Sequence, residues 1–533
     1  MEPILGIDFG TTNSAAALYQ GGRAQVIPTE YGERVLPSAV YIDTEGNIFV
    51  GTPARNVAVL HGDATVLSVK RRLGTGMRFF INNTSYTPER IASFILRKVR
   101  QLAERHTGGA IRRTVITVPA SFDDHRRRAV SKAAREAGLE VARVINEPTA
   151  AALAFGLQRS FRGTVAVFDL GGGTFDISIL RVEEGMFEVL ATRGDVHLGG
   201  DDFDRKIAEQ LTGGFREEHG VDLSGDAFAM QKIAEEAEKI KKQLSAQQMV
   251  EVHVPFISAD ENGPLDLRAV ISREEFERMI NREVERALRL TGSALRDAGL
   301  RPADVDLVLP VGGSTRIPLV RSRLQAMFGR EPERGISPDE VVAVGAAVQG
   351  AVIEGRVKQV ALVDVTPLGL GVETEGGKMV TMIRRNTPIP ARSQAVFTTV
   401  ADDQKAVTVN ILQGERPLAE DNHSVGSFRL DGIRLAPRGE PRILVSFDID
   451  VDGMVTVSAE DQDTGAQCGV TVDAVSGLTG EEVDAVLADA RASELDDLVG
   501  SGRRAGTGAG GSAGSGRSWL SGSTGEEEMY ETV

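Results

Sequence analysis

The sequence contains one short pattern twice, and this repeat constrains the fold more than any other feature. ILGIDFGTTNSAAAL (4–18) and VAVFDLGGGTFDISIL (165–180) each consist of an apolar strand, an aspartate, a turn with Gly and Thr, and a second strand. The repeat predicts two related subdomains that each present a turn to one ligand. Considered alone, it is explained equally well by chance similarity between two hairpins.

The chain also divides into regions that differ in the spacing of their apolar residues. Residues 1–356 alternate short Val/Ile/Leu runs with segments of helical period, which is typical of an α/β domain with covered sheets. Residues 364–476 lack the helical period and contain short alternating runs between Gly, Pro, Asn and Asp, which predicts an antiparallel β domain. Residues 357–363 are a short apolar linker between them. Strands are predicted at 165–168 and 305–311, and helices at 126–137, 203–218, 228–245 and 272–298.

The end of the chain has a different composition. Thr479 and Glu482 form a capping box, which predicts one helix over 477–499. Residues 500–533 are rich in Gly and Ser and close with EEEMYETV, so we expect a disordered tail.

Composition excludes several classes of protein. The net charge of −16 at pH 7 argues against nucleic acid or an anionic membrane as the main partner. Cys468 is the only cysteine, so no intrachain disulfide can form. No apolar run approaches the ~18 residues of a membrane helix, and MEPILGIDFGTT lacks the features of a signal peptide. We therefore expect a cytoplasmic protein.

The GGGT turn (171–174) differs from known phosphate-binding loops in its context. A dinucleotide-binding loop must open a helix, whereas FDISIL (175–180) continues with strand-like alternation. The GxxxxGK[ST] pattern of a P-loop is absent as well. What remains is a hairpin whose small residues let backbone N–H groups approach phosphate oxygens.

Asp8 and Asp169 lie where each first strand enters its turn. Carboxylates at these positions suit Mg²⁺, which usually keeps several waters and bridges to substrate phosphates. A single aspartate in such a place is more often a turn former. Their occurrence in matched hairpins favours the metal.

Other polar features each have two interpretations. The paired glycines of VGGSTRIP (311–318) allow close approach to a base or ribose, or form an ordinary turn before a helix that begins near Pro318. Lys70 has the context of a surface lysine, and Glu147 that of a partner for a helix dipole. A polar face of the helix predicted over 228–245 either faces only solvent or binds adenosine. It carries Glu238, Lys241, Lys242 and Ser245.

A series of ordered motifs extends this pattern over residues 1 to about 490. The motifs are GIDFGTTNS (6–14), VITVPASFDD (115–124), INEPTAAALAFG (145–156), FDLGGGTFDISIL (168–180), HLGGDDFD (197–204), AEKIKKQLS (237–245), VGGSTRIP (311–318), PDEVVAVGAAVQG (338–350), DVTPLGLGVET (364–374), LQGERPLAEDN (412–422) and FDIDVDGMVTVSA (447–459). Together they resemble one family, the seventy-kilodalton heat-shock chaperones in their bacterial (DnaK-type) form. The resemblance implies an actin-like duplicated α/β ATPase domain, an antiparallel β-sandwich peptide-binding domain and a short helical remnant of the family's lid.

The resemblance also implies roles for single residues around a central nucleotide cleft. It makes Lys70 the first catalytic residue, close to the γ-phosphate and the attacking water, and Asp8 and Asp169 the holders of the Mg²⁺ water shell. The other catalytic positions are Glu147, Thr174 and Asp176. The two phosphate turns are Gly10, Thr11, Thr12 and Asn13, and Gly171, Gly172, Gly173 and Thr174. The positions on the adenosine side are Glu238, Lys241, Lys242, Ser245, Gly312, Gly313, Ser314, Arg316 and Asp339.

In the β domain the resemblance implies a pocket for an extended apolar peptide. The matching positions are Val372, Thr374, Phe397, Thr398, Val407 and Val409. Core packing also explains the apolar members of this set. The linker, Val360 to Asp364, is expected to dock on the ATPase domain in one nucleotide state, and Arg143 matches a position where J-domain co-chaperones bind.

The chain departs from the family pattern in three places. The long helical lid is replaced by one short helix and the Gly/Ser tail. Glu375 and Val400 occupy the arch over bound peptide, where a bulky apolar residue is usual at the first position. Ala361 replaces a larger aliphatic residue in the linker.

We therefore expect a monomeric, stress-related chaperone that uses ATP/ADP and Mg²⁺. Its expected partners are unfolded polypeptide segments, a J-domain co-chaperone and a nucleotide exchange factor. Two other classes remain open: a nucleotide-gated scaffold with one dedicated protein partner, and a sugar kinase or filament-forming actin relative.

Overall fold

The computed structural model of the chain describes residues 2–261, 263–335, 337–358, 360–471 and 531–532. The helix predicted over 477–499 and most of the predicted tail over 500–533 lie outside the described residues. The described chain forms two units. Unit 1 comprises residues up to Pro367 with Arg385–Pro390 and Asp450–Met454, and unit 2 comprises Leu368–Arg384, Ala391–Ile449 and the described residues from Val455 onward.

Unit 1 alternates strands and helices. Its strands up to Val365 are β1 Leu5–Asp8, β2 Asn13–Gln20, β3 Arg23–Val26, β4 Leu36–Pro37, β5 Val40–Ile42, β6 Ile48–Val50, β7 Thr65–Val66, β8 Phe79–Ile81, β9 Thr84–Tyr86, β10 Arg113–Val118, β11 Glu140–Asn146, β12 Gly163–Leu170, β13 Phe175–Glu183, β14 Met186–Asp195, β15 Met249–Asp260, β16 Gly263–Ser272, β17 Leu307–Val311 and β18 Ala361–Val365. Its helices are α1 Thr52–Val57, α2 Pro88–Thr107, α3 Asp124–Glu136, α4 Glu147–Arg159, α5 Gly200–His219, α6 Ala227–Leu244, α7 Arg273–Asp297, α8 Pro318–Phe328 and α9 Val341–Ile353. Short 3₁₀ turns occupy Gly62–Ala64, Val69–Arg72, Pro302–Asp304 and Gly313–Arg316.

The elements predicted in this region are confirmed. The four predicted helices are α3, α5, α6 and α7, and the two predicted strands fall within or overlap β12 and β17. None of the described helices is both long and apolar enough to cross a membrane.

Two sheets of unit 1 repeat one topology around the two hairpins. In the first sheet, with the order β11-β10-β1-β2-β3, strand β1 pairs antiparallel with β2 and parallel with β10. In the second, with the order β17-β12-β13-β14-β18, strand β12 pairs antiparallel with β13 and parallel with β17. The repeat in the sequence is therefore a repeat in the structure, and these mixed α/β sheets fit an actin-like fold.

Two helices pack on these sheets and hold the hairpins in place. Helix α9 packs on β1 and β2 of the first sheet, α4 packs on β12 and β13 of the second, and the two helices contact each other. The sequence of α9, VVAVGAAVQGAVI, is almost wholly apolar, as expected for a helix buried all round. Small residues permit the close approach, because a Cβ on Gly345 would lie 1.8 Å from the carbonyl oxygen of Ala150, and one on Gly6 would lie 2.2 Å from the amide nitrogen of Ala347.

The predicted linker is part of unit 1. Strand β18 pairs parallel with β14, with Leu362 opposite Phe187, and Val360 and Leu362 pack against the apolar cluster that contains Phe187. The segment predicted over 357–363 thus ends in a strand of the second sheet, and unit 1 continues to Pro367. Its alternating apolar residues explain this, because a strand with one apolar face is stabilised by packing on a sheet edge.

The remaining strands lie mainly in unit 2. They are β19 Leu370–Thr374, β20 Lys378–Ile383, β21 Pro388–Ile389, β22 Ala391–Thr398, β23 Ala406–Gln413, β24 His423–Asp431, β25 Ile443–Ile449, β26 Val455–Asp461, β27 Gln467–Thr471 and β28 Glu531–Thr532. Strand β21 belongs to unit 1, and a 3₁₀ turn occupies Ala419–Asp421. The other strands form two sheets, β20-β19-β23-β24 and β27-β26-β25-β22-β28. All their pairings are antiparallel except that of β22 with β28.

Candidate functional site

The turns of the two hairpins line one cavity in unit 1, together with the turn that follows β17. The predicted site residues in its wall are Asp8, Gly10, Thr11, Thr12, Asn13, Lys70, Glu147, Asp169, Gly171, Gly172, Thr174, Gly312, Gly313 and Asp339. The cavity volume is about 90 Å³, so a ligand larger than a few waters requires the walls to move apart. Residues far apart in sequence therefore converge on one place.

Lys70 is the one cationic side chain among the described residues that line this wall. It lies in the 3₁₀ turn Val69–Arg72, its side chain is 2% exposed, and its Nζ lies 2.5 Å from Oε1 of Glu147. Its ammonium group also lies 5.7 Å from the centroid of the Phe122 ring. Glu147 is the first residue of α4 and follows directly on β11. The surface interpretation of Lys70 is therefore wrong, and Glu147 does more than face a helix dipole.

The carboxylates around this pair are buried. Burial raises the pKa of Asp8 to about 7, with a further contribution from the negative charge of Glu147 and an opposing one from Lys70. Burial and the charge of Glu147 raise the pKa of Asp176 to about 8, and hold the pKa of Asp169 well above its usual range. Four carboxyl groups thus face one ammonium group, and an added cation would relieve their repulsion.

The two hairpin turns approach each other closely. A Cβ on Gly172 would lie 1.9 Å from Oγ1 of Thr12, and one on Gly10 would lie 2.0 Å from the carbonyl oxygen of Asn13. The Oγ1 of Thr12 is buried and has no hydrogen-bond partner. Gly312 has φ +79°, and a Cβ there would lie 2.4 Å from the carbonyl oxygen of Leu170. At Gly10 and Gly312 the neighbouring atom belongs to the backbone, so only glycine fits there.

This donor set fits a phosphate-bearing ligand with a hydrated cation. Glycines of the three turns line the cavity, and the hydroxyl of Thr12 lacks a partner. Among the described residues, no three His, Cys, Asp or Glu side chains are grouped so that they could hold a metal directly. Contact of Asp8 and Asp169 with a metal through water is compatible with that arrangement.

The residues predicted on the adenosine side form ion pairs beside this cavity. Lys241 donates to Oδ2 of Asp204 at 2.6 Å and to the carbonyl oxygen of Gly200 at 3.0 Å. Glu238 pairs with Arg55 and, at 2.7 Å, with Lys242. Burial lowers the pKa of Lys242 to about 8, helped by the charges of Arg55 and Lys241. The predicted helix face of α6 thus forms ion pairs while Lys242 itself is exposed, and its contact with adenosine stays a prediction.

Three further predicted positions have local partners. Ser314 donates to the carbonyl oxygen of Gly171 at 2.9 Å, Arg316 donates to Asp339 at 2.5 Å, and Ser245 donates to the carbonyl oxygen of Lys241 at 3.2 Å. The structure therefore brings the turn after β17 into contact with the second hairpin turn.

Sequence reasoning missed the residues that anchor the second turn. Arg71 donates to the carbonyl oxygen of Gly173 at 3.0 Å and to Asp202 at 2.7 Å, and Ser68 donates to Asp201 at 2.8 Å. These bonds connect the turn that carries Lys70 to the start of α5. The sequence did contain a hint of these contacts. Arg71 directly follows Lys70, and Asp201 and Asp202 lie within the motif HLGGDDFD.

The predicted peptide pocket lies in unit 2, and most of its residues are buried. Val372, Phe397, Thr398, Val407 and Val409 are at most 3% exposed, and Thr374 is half-buried. This burial agrees with core packing, and the binding role stays a prediction.

The predicted arch residues of unit 2 have polar partners. Glu375 accepts from Nη2 of Arg438 with both carboxylate oxygens, at 2.9 and 3.1 Å. The amide of Val400 donates to Gln404 at 3.1 Å. An exposed ion pair thus stands where the resemblance implies a bulky apolar residue.

Arg143, the position expected to bind a J-domain, is engaged within unit 1. Its guanidinium donates to the carbonyl oxygen of Val451 at 3.1 Å and lies 3.1 Å from the carboxylate of Asp452. Binding of a partner at Arg143 stays a prediction.

Comparison with models of known protein families gives a match over nearly the whole chain. The model described as Hsp70 protein matches residues 4–80 and 75–500. The match includes both hairpins and the described strands of unit 2 up to β27.

Proposed function

This chain belongs to the Hsp70 family, whose members are ATPases, and on that premise we propose that it is an ATP-dependent molecular chaperone. It would bind and release extended apolar segments of unfolded proteins under the control of ATP hydrolysis. The observation that carries the proposal is the convergence of two matched hairpin turns on one cavity with the buried Lys70–Glu147 pair.

We assign the phosphates of ATP or ADP to the two hairpin turns. When bound, Mg²⁺ supplies positive charge to the phosphates. Asp8 and Asp169 would hold its water shell, and Thr174 and Asp176 complete that side of the site. Glu238, Lys241 and Lys242 would face adenosine, together with the turn at Gly312 and Gly313.

Lys70 would act by position and charge. Its buried ammonium can orient a water and stabilise the negative charge that develops on the transferred phosphoryl group. Glu147 holds Lys70 in place and can accept a hydrogen bond from the attacking water. Phosphoryl transfer needs little covalent help, so such an arrangement is sufficient.

We propose that unit 2 is the peptide-binding β-sandwich. Its strands offer main-chain hydrogen bonds to an extended segment, and the predicted pocket residues would receive an apolar side chain. The Glu375–Arg438 pair would replace an apolar arch, so we expect weaker closure over bound peptide. The short helix expected over 477–499 would cover little of it, and peptide would leave rapidly even with ADP.

We propose that strand β18 couples the two activities. It pairs with β14, and Asp364 accepts a hydrogen bond from Thr149 at 3.1 Å. Release of this strand in one nucleotide state would change peptide affinity. A coupling free energy of about 1–3 kcal/mol is the usual scale. A J-domain co-chaperone, a nucleotide exchange factor and a cytoplasmic location belong to the same proposal.

Single-turnover ATP hydrolysis, with and without an unfolded apolar peptide, tests this function. We expect the peptide to accelerate hydrolysis, and Lys70→Ala to abolish both the basal and the stimulated rate. Lys132→Ala, which changes an exposed lysine of α3, is the matched control and should behave as the unchanged protein. No ATP affinity by calorimetry would overturn the proposal.

The second candidate is a nucleotide-gated scaffold with weak hydrolysis and one dedicated partner. The polar Glu375–Arg438 pair favours it, because it makes a general apolar peptide site less effective. Slow turnover that no unfolded peptide accelerates would support the scaffold. ATP-dependent sedimentation would instead indicate a filament-forming actin relative.

A further inference from the structure

The parallel strand of unit 2 comes from the far end of the described chain. Strand β28 pairs with β22 so that Glu531 lies opposite Phe397 and Thr532 opposite Thr398. Along its other edge β22 pairs antiparallel with β25 from Ala391 to Phe397. Without β28, β22 would be the last described strand of its sheet and would present unpaired backbone groups at this edge.

The position of this contact coincides with the predicted peptide pocket. Phe397 and Thr398 are two of its residues, and both are buried. The hydroxyls of Thr398 and Thr399 at the same end of β22 are buried and have no hydrogen-bond partner. A buried hydroxyl without a partner costs about 1–3 kcal/mol. These hydroxyls have no partner even with β28 in place, so β28 does not satisfy them, and a substrate segment that reached them would gain hydrogen bonds that β28 lacks.

The chain is long enough for this contact. Residues 472–530 separate β27 from β28, and an extended chain spans about 3.3 Å per residue. A segment joined to its site through the same chain has an effective concentration of the order of mM. Even if the strand binds weakly, it can then compete for the site with a peptide that is present at µM concentration.

We propose that the segment Glu531–Thr532 adds as a strand to β22 and occupies this chain's own peptide site. The proposal rests on the proposed function, because it takes the end of β22 to be where substrate peptide binds. It makes the segment an internal competitor of unfolded polypeptide. The bonds of such a contact are made by main chain, so it needs no apolar anchor and is readily displaced by a segment that has one.

The first experiment blocks the strand addition in the full chain. The double variant Glu531→Pro/Thr532→Pro removes both N–H donors of β28. Glu526→Pro/Glu527→Pro places the same change outside the paired residues and is the matched control. The probe is a fluorescein-labelled heptapeptide with three central leucines and flanking arginines. We expect the first variant to bind it about 3–10-fold more tightly, as release of a weak competitor at mM effective concentration requires, and the control to bind it as the unchanged protein does.

A second measurement does not depend on substrate binding. Hydrogen–deuterium exchange of the peptide fragment that contains Phe397 and Thr398 should be several-fold faster in the Glu531→Pro/Thr532→Pro variant than in the control. Equal exchange in the two variants would overturn the strand addition. Faster exchange with unchanged heptapeptide affinity would overturn the competition. If no protein binds the heptapeptide, the proposed function fails, and the exchange result alone decides whether the segment occupies β22.

Discussion

At the scale of single residues, the site depends on one ammonium group among buried carboxylates. Lys70 is held by Glu147, while the pKa values of Asp8, Asp169 and Asp176 are all raised. The sequence identified these residues through motifs. It did not establish that Lys70 is buried, because Lys70 and Glu147 are 77 positions apart and no periodic signal connects them. Their contact is set by long-range packing alone.

The buried Lys70–Glu147 pair leads to a prediction for stability. Lys70→Met leaves Glu147 buried without its partner, and we expect a loss of about 3–5 kcal/mol in the free energy of unfolding. The double variant Lys70→Met/Glu147→Leu removes both charges and should recover most of that loss. Urea unfolding of the unchanged protein, the single variants Lys70→Met and Glu147→Leu, and the double variant measures this. Losses that simply add in the double variant would contradict the prediction.

Lys242 leads to a prediction for pH dependence. Its pKa is lowered to about 8, so its charge is present below pH 8 and is lost as the pH rises through that value. If Lys242 faces the nucleotide, ATP affinity should fall between pH 7 and 9, because a neutral amine no longer attracts the anion. Lys242→Arg keeps its charge throughout this range and should flatten the profile. Calorimetric ATP titrations at pH 7, 8 and 9 test it, and equal slopes for both proteins would refute it.

At the scale of elements, helices and hairpins could be predicted, and their partners could not. Amphipathic period located α5, α6 and α7 because each buries one apolar face. Strand β18 was expected as a linker because its pairing with β14 depends on residues far away in sequence. The same limit hid the role of Arg71, whose anchoring of Gly173 appears only when the 3₁₀ turn meets the second hairpin.

The contact between the two hairpin turns predicts the effect of a single methyl group. A Cβ in Gly172→Ala would lie 1.9 Å from Oγ1 of Thr12, so the Thr12 hydroxyl must turn away, and both it and the new methyl group would then change the surface that faces the phosphates. We expect ATP affinity to fall at least tenfold, while far-UV circular dichroism stays unchanged. Gly109→Ala is the matched control, because a Cβ at Gly109 meets no atom within 4 Å. Unchanged affinity of Gly172→Ala would show that the turns do not bind phosphate.

At the scale of the whole molecule, the family match and the duplicated sheets support an ATPase. The coupling of ATP hydrolysis to peptide binding is our proposal. The architecture of unit 1 could be predicted because its repeat is written in the sequence. The occupation of β22 by β28 could not, since EEEMYETV has no strand-like alternation of apolar residues.

Strand β18 gives a prediction for the whole molecule. Leu362→Asp places a charge where Leu362 packs on the apolar cluster, and should detach the strand from β14. We expect the ratio of peptide release rates with ATP and ADP to fall from about 5–150-fold towards one. Lys358→Ala changes an exposed residue just before the strand and should preserve that ratio. Stopped-flow release of labelled peptide measures it, and an unchanged ratio in Leu362→Asp would mean that coupling runs through other residues.

The crossed packing of α4 and α9 has a consequence for how unit 1 assembles. Helix α9 is the last described helix of unit 1 yet covers β1, whereas α4 precedes the second sheet and covers β12. Each sheet therefore obtains part of its cover from chain that lies beyond its own stretch of sequence. A ribosome that has released only the first 160 residues has not yet supplied α9, so Asp8 cannot be set in its final place during early synthesis. We therefore expect the chain to become able to bind a nucleotide only after α9 has been synthesised, in a single step.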